Sequence, residues 1–424
     1  MKFLAKALAT SVLACATIAG SADAATFEVN LATDIEDIQL GDTPNACDVS
    51  VDPGPQCTLR AAIQESNASA GGDRIDFAIP GDGVHTLTFA SELPPLADRV
   101  MIDGYTQPGS RPNSRSPRKP LDTKLRIVLD GTNVALGDGI EVASGGTGSS
   151  VRGLSFVFWQ NAGVHAANGR VRLTGNFLGA TPDGLQAGNG DGFTSLGGAA
   201  DGSVIGGRSP SKANLIHGNV RSGIASNQGV AVQGNRVSMN GGGSCNCGAV
   251  ALFEANGSNI VKDNHFENNV YSPVVVFNSS FEVPTFISRN TMLGNGLITG
   301  LGIDLVGDGA TPNDPGEEDQ LQNAPDLRGA RIEDGHLVVH GTLQGRPRDR
   351  YRIELYAADD DRRQGRRFLG VKNVETNGHL GLAPFTIRVP KLRKGSFVTA
   401  TASALEAEPV PATSEFSNTR KVKK

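Results

Sequence analysis

Four side chains that could share chemistry recur at fixed offsets in the middle of the chain: His217, Arg236, His265 and Glu267. Each stands one or three places after an Asn, in Asn214-Leu-Ile-His217, Asn235-Arg236-Val and Asn264-His265-Phe-Glu267. If these phrases are strands stacked in register, Arg236 and His265 share one outward column, and His217 and Glu267 share the other. Such a patch holds the parts for β-elimination from a uronic acid. His265 would remove the C5 proton, and Arg236 would clamp the carboxylate. Glycoside hydrolysis would instead need two carboxylates. Glu267 offers one, and Asp191 or Asp263 would have to be the second. A solvated face of unrelated charges is the competing reading, because exposed ion pairs contribute little.

The elements that would position these residues are legible in the same phrase. An Asn is followed two places on by an apolar residue and five places on by a second Asn. The phrase opens at Asn214, Asn235, Asn264 and Asn290, with weaker copies at Asn176 and Leu154. The starts are 22, 38, 21, 29 and 26 residues apart. A period in the low twenties with longer outliers predicts a solenoid with loop insertions, here a parallel β-helix. The column Leu178, Ile216, Val237, Phe266, Met292 is wholly apolar and should face the core. Each Asn suits a tight bend, being tolerant of left-handed backbone, and stacked Asn amides can bond one another up the ladder. The gap of 38 leaves room for one degenerate coil around Val204-Ile205-Gly206-Gly207. Ordinary hairpins with Asn-rich turns fit less well, because the turn spacing and strict alternation they need are poor here.

The 424 residues, net charge of −5, 54 glycines and 5% aromatics suit a chain of many tight turns and show no basic face large enough for nucleic acid. Residues 1–24 read as a signal peptide: Lys2 and Lys6, a short apolar core, then Ser21-Ala-Asp-Ala24. A lipoprotein site at Cys15 fits less well. The apolar run is too short to span a membrane. The mature chain is expected to be secreted or at the cell surface, with the periplasm as an alternative, and monomeric. In an oxidising compartment Cys47 and Cys57 read as a disulfide. For Cys245 and Cys247 a local disulfide is favoured over free thiols or a metal site. Residues 25–99 are expected as a cap, with Cys57–Asn67 as an amphipathic helix burying Leu59, Ala62 and Ile63 while Arg60 and Glu65 stay solvated. Residues 100–325 form the solenoid. The acidic run after Asp304 supplies Asp304, Asp308 and Asp314 as oxygen ligands for Ca²⁺, against the alternative of a solvated acidic loop. No other cofactor is implied. Within residues 326–424 the stretches 336–343, 351–356, 385–389 and 397–402 alternate cleanly and predict a small antiparallel, Ig-like β-sandwich ending in a frayed basic tail.

Cys57-Thr-Leu-Arg-Ala-Ala-Ile63, ten residues after Cys47, resembles the Cys-Ser-Leu-Arg-Glu-Ala motif of the CSLREA-domain secreted bacterial proteins. Ala61 stands where the motif has Glu. Further matches follow in that family's order: Ile102-Asp-Gly-Tyr-Thr-Gln-Pro-Gly109, Val128-Leu-Asp-Gly-Thr-Asn133, Gly175-Asn-Phe-Leu-Gly179 and Gly302-Ile-Asp-Leu305. The resemblance covers most of the mature chain. It implies an exported protein with a right-handed parallel β-helix and no settled activity. Taken together, the expected class is all-β: a right-handed parallel β-helix with an N-terminal cap and a C-terminal antiparallel sandwich. The expected role is binding of cell-surface or environmental polysaccharide, with a lyase or glycoside hydrolase acting on an acidic glycan as the alternative. The polysaccharide part is argued by analogy from the fold.

Overall fold

The computed structural model describes residues 24–38, 46–198, 200–243, 248–253, 257–277, 284–297, 300–360, 362–406 and 412–424. Residues 1–23 of the expected signal peptide, and Cys245 with Cys247, lie outside them. The chain coils into a parallel β-helix with three parallel sheets of nine, eight and seven strands. One coil runs Val230–Gln233, Arg236–Ser238 and Val250–Leu252, one strand in each sheet, and the next runs Asn259–Lys262, His265–Glu267 and Val274–Val276. In the second sheet the expected register holds: Leu178 pairs with Ile216, Ile216 with Val237, Val237 with Phe266 and Phe266 with Met292. All five side chains are buried. Each contributes about 1.5–3 kcal/mol relative to exposure.

The 38-residue interval holds no extra coil. Ser203–Gly206 pairs with Val171–Thr174 and Val230–Gln233 in the first sheet, while Leu215–His217 pairs directly with Phe177–Leu178 in the second. Val204 and Ile205 are therefore the first-sheet strand of an ordinary coil with longer loops.

The asparagines form two buried ladders. Asn214 donates from Nδ2 to Asn235 Oδ1 (2.9 Å), Asn235 to Asn264 (3.1 Å) and Asn264 to Asn290 (3.1 Å). The second set runs Asn189, Asn219, Asn240, Asn269, Asn295, with bonds of 3.2, 2.8, 3.0 and 2.8 Å. The left-handed backbone expected at the Asn lies instead one residue earlier. Gly234, Asp263 and Arg289 precede Asn235, Asn264 and Asn290 of the first ladder, Gly175 precedes Asn176, and Gly218, Met239, Asn268 and Gly294 precede the last four asparagines of the second; all have φ between 54° and 69°, whereas Ala213, before Asn214, has φ −64°. The preceding residue turns the corner, which leaves the Asn amide free to satisfy peptide groups of both neighbouring coils.

Stacking reaches further toward the N-terminus than expected. Thr26–Val29, Asp73–Phe77 and Val100–Asp103 are consecutive strands of the first sheet, so residues 25–99 are partly solenoid. The helix Leu59–Ala68, capped by Thr58 Oγ1 accepting from Ala61 N (3.1 Å), packs on the first two of these strands. Leu59, Ala62 and Ile63 are fully buried, as its pattern requires. Arg60 and Glu65 are buried too, against expectation. Arg60 grips Asp34 through Nε (2.7 Å) and Nη2 (3.0 Å) and donates to the Ser91 and Glu92 carbonyls. The Cys47–Cys57 disulfide closes the loop beside this helix.

Two antiparallel sheets sharing one core follow. The first holds Asp326–Glu333, His336–Gln344 and Leu382–Pro390; the second holds Arg367–Glu375, Arg350–Ala358, Phe397–Ala404, Ala412–Thr413 and Arg420–Lys421. The basic tail is woven in rather than frayed: Arg420–Lys421 pairs with Phe397–Val398 and Val422 is buried. This unit closes the solenoid's last coil. Gln364 Nε2 donates to the Asn295 carbonyl (2.6 Å), Leu305 N donates to Glu415 (3.0 Å) and Ser288 Oγ donates to Glu354 (2.8 Å). The otherwise unpaired strand edges are thereby covered.

Candidate functional site

All four residues singled out by spacing come together on the second sheet. Arg236 is the Cα partner of His265, and Ser238 is the partner of both His217 and Glu267. Arg236 forms a close ion pair with the Glu267 carboxylate and donates from Nη1 to the Pro117 carbonyl (3.2 Å). His265 Nε2 lies 3.6 Å from Glu267, and its Nδ1 is 2.8 Å from Thr291 Oγ1. His217 Nδ1 is 2.9 Å from Ser238 Oγ. Burial, then the Arg236 charge, pushes the His265 pKa down to about 4, against an upward pull from Glu267. The same two causes lower that of His217. Both shifts favour the neutral ring.

A long insertion between Val100–Asp103 and Ile127–Asp130 lies over this face. A cavity of about 390 Å³ forms beneath it, lined by Leu121, Phe177, His217, Arg236, Ser238 and Glu267 among others. His265 is 8% exposed and does not line it. The residue best placed by chemistry to act as a base is thus covered, with both ring nitrogens engaged.

A second cavity of about 560 Å³ is lined by Ser116, Pro117 and Arg118 of the same insertion and by residues of successive coils. Its lining includes Arg118, Arg208, Lys262 and Arg289 and one carboxylate, Asp263, which pairs with Arg289 Nε at 3.0 Å. Pro117, whose carbonyl accepts from Arg236, joins the two cavities. Asp263 and Arg289 are two of the corner residues with left-handed backbone. Earlier coils put Gly175 and Gly234 there, so a strain of about 1 kcal/mol is accepted where the cationic cavity forms. Sequence spacing did not single out these four cations. They come from an insertion, a loop, a strand end and a bend, outside the outward columns. The one available signal is the basic run Arg111, Arg115, Arg118, Lys119, Lys124, Arg126.

The other candidate carboxylates are elsewhere. Asp191 lies on the third sheet, where burial raises its pKa and Arg221 Nε binds it at 3.0 Å. No three carboxylates of the acidic run come within chelating reach of one another among the described residues. Asp304 is buried and accepts from Gly309 N (3.2 Å), and Asp314 accepts from Asp319 N (2.9 Å). Among the described residues the side-chain oxygens of Asp304, Asp308 and Asp314 are not gathered into one cluster, and a backbone amide takes one oxygen each of Asp304 and Asp314. A group that can chelate lies on the third sheet instead: Asp138, Glu141 and His165, with one ligand atom from each within 4.8 Å of the others. Asp138 raises the His165 pKa through a 2.9 Å hydrogen bond to Nδ1, and burial opposes it.

Among the described residues no helix is long and apolar enough to cross a membrane. No protein-family model matches the chain, and comparison with curated proteins gave no match. Among solved structures, the chain is similar to the enzymatically active domain of tailspike protein 2 of bacteriophage CBA120, at 10% identity over 84% of this chain and 73% of that one, with a TM-score of 0.20.

Proposed function

We propose that this is an exported β-helix protein that binds an acidic polysaccharide across its second sheet, holding the chain without cleaving it. The observation that carries the reading is the cavity whose lining holds Arg118, Arg208, Lys262 and Arg289 against a single carboxylate, Asp263. Guanidinium groups engage carboxylates and sulfates in bidentate fashion, and a cavity that concentrates them favours an anionic ligand. Stacked coils repeat about every 4.8 Å, so a linear polymer lying along the stack meets successive coils. The adjoining cavity offers Phe177 and Leu121 for a sugar face and His217 and Ser238 for hydroxyls. Binding is favoured over turnover because His265 is enclosed and Arg236 is already committed to Glu267 and the Pro117 carbonyl.

The test is titration of the purified mature chain with uronate-bearing, sulfated and neutral polysaccharides, following heat of binding, absorbance near 235 nm and new reducing ends. Binding confined to the acidic polymers, weakened by salt and without absorbance growth, is expected. Equal affinity for neutral polymers, or none for any, overturns the reading. Growth at 235 nm that is lost in H265A would replace it with the lyase reading.

A further inference from the structure

We propose that Asp138, Glu141 and His165 form a binding site for a first-row divalent cation of the Zn²⁺ type. The site stands apart from the polysaccharide face and does not depend on it. Glu141, in Ile140–Glu141, is the Cα partner of His165, in Ala162–His165, so two successive coils of the third sheet put carboxylate and imidazole side by side. Asp138 reaches the same point from the loop before Ile140. Its Oδ2 lies 2.9 Å from His165 Nδ1, while Oδ1 accepts from Ala162 N at 2.9 Å. One oxygen is anchored by backbone and the other is aimed, the arrangement that outer partners impose on metal ligands.

The dimensions fit. Zn²⁺ bonds to nitrogen and oxygen of about 2.0–2.2 Å place neighbouring tetrahedral ligands roughly 3.3–3.6 Å apart. The three ligand atoms lie within 4.8 Å of one another, so small rotations close the set. The charges fit as well. Two carboxylates converge on His165, leaving a local negative excess that a divalent ion neutralises. An imidazole in the set favours Zn²⁺, Co²⁺ or Ni²⁺ over the oxygen-seeking Ca²⁺ and Mg²⁺. All three side chains are half-buried, so solvent and ions reach the group. Three protein ligands with one open position is the pattern of zinc sites that bind water or an exchangeable ligand.

The experiment uses the untagged mature chain carrying C245S and C247S, so that those thiols bind no metal. It is dialysed against Zn²⁺, its metal content is measured, and Co²⁺ is substituted for visible absorption spectroscopy. One equivalent of Zn²⁺ is expected, with Co²⁺ bands of a site of low coordination number and Ca²⁺ failing to compete. H165A and E141Q should each weaken Zn²⁺ binding on the order of 100-fold, since losing a direct ligand costs at least what losing an outer partner does. H336A/H340A, which removes histidines of the sandwich, should leave binding unchanged. Circular dichroism in EDTA checks that each variant is folded; if H165A is not, E141Q decides, because among the described residues the Glu141 side chain makes no hydrogen bond. No stoichiometric Zn²⁺, or equal affinity in folded H165A and E141Q, overturns the proposal.

Discussion

Asn235 and Arg236 are neighbours in sequence and belong to different regions of the molecule. Asn235 sits in a buried ladder whose members are all asparagine and whose bonds repeat from coil to coil. Arg236 sits in an outward column that reads Phe177, Leu215, Arg236, His265, Thr291. A position that bonds to its own copies above and below can change only at the cost of two coils. A position that faces the insertion over the second sheet is free to differ in each coil. The repeat therefore marks architecture, and departures from it mark where a ligand can be met.

The largest expected effect is on the ladder. Asn235→Ala removes the acceptor used by Asn214 N and Nδ2 and the donor to the Ile205 carbonyl. Leaving such buried groups unpaired should cost about 3 kcal/mol, read as a lower urea midpoint with polysaccharide affinity per folded molecule unchanged. One place on, Arg236→Ala should cost only about 1 kcal/mol, because its partner Glu267 is partly exposed and can turn to solvent, while affinity falls about tenfold. If the two variants lose equal stability, the division between ladder and outward column fails.

A smaller effect separates strain from binding at the bends. Arg289→Gly relieves a left-handed backbone and should stabilise the fold by about 1 kcal/mol while weakening acidic polysaccharide binding. Loss of both, measured by denaturation and titration together, would make Arg289 a structural residue. The pH dependence gives the finest comparison. His265 is shifted from its ordinary 6.5 to about 4, so between those values the unfolded chain holds a proton that the folded one lacks. Its contribution is full above pH 6.5 and is lost as pH falls toward 4. At the solenoid's closing end, burial raises Glu317 and Glu415 from 4.5 to about 7, which has the opposite sign. Their contribution is full below pH 4.5 and is lost as pH rises toward 7. H265N should flatten the first slope, and E415Q the second, in stability measured from pH 4 to 8.

The solenoid was legible in the sequence because its signal is repeated. An apolar residue two places after each Asn predicts both strand and register, and the pairing of Ile216, Val237 and Phe266 follows. What stayed hidden is what the repeat does not contain. The corner residue varies among Gly, Asp, Arg, Met and Asn, so the bend was assigned to the Asn beside it. The strands Asp326–Glu333 and Arg367–Glu375 are rich in charge on their exposed sides and gave no clear alternation. Arg60 looked solvated because a helical pattern cannot reveal that Asp34 and two carbonyls wait for it. Of the site, the quartet His217, Arg236, His265 and Glu267 was readable from column offsets. The cations of the second cavity and the Asp138–Glu141–His165 group were not, since each draws on an insertion or loop outside the Asn-anchored phrase.

The central claim is that cations gathered at the bends and under the insertion hold an acidic polymer. Its most direct test is the affinity of R208E/K262E for a polyuronate, measured beside the unaltered chain from 50 to 300 mM salt. The account predicts that the double reversal abolishes binding at every salt concentration, that the unaltered chain weakens steadily as salt rises, and that both unfold at the same urea concentration. Undiminished binding by R208E/K262E, with the fold intact, would contradict it.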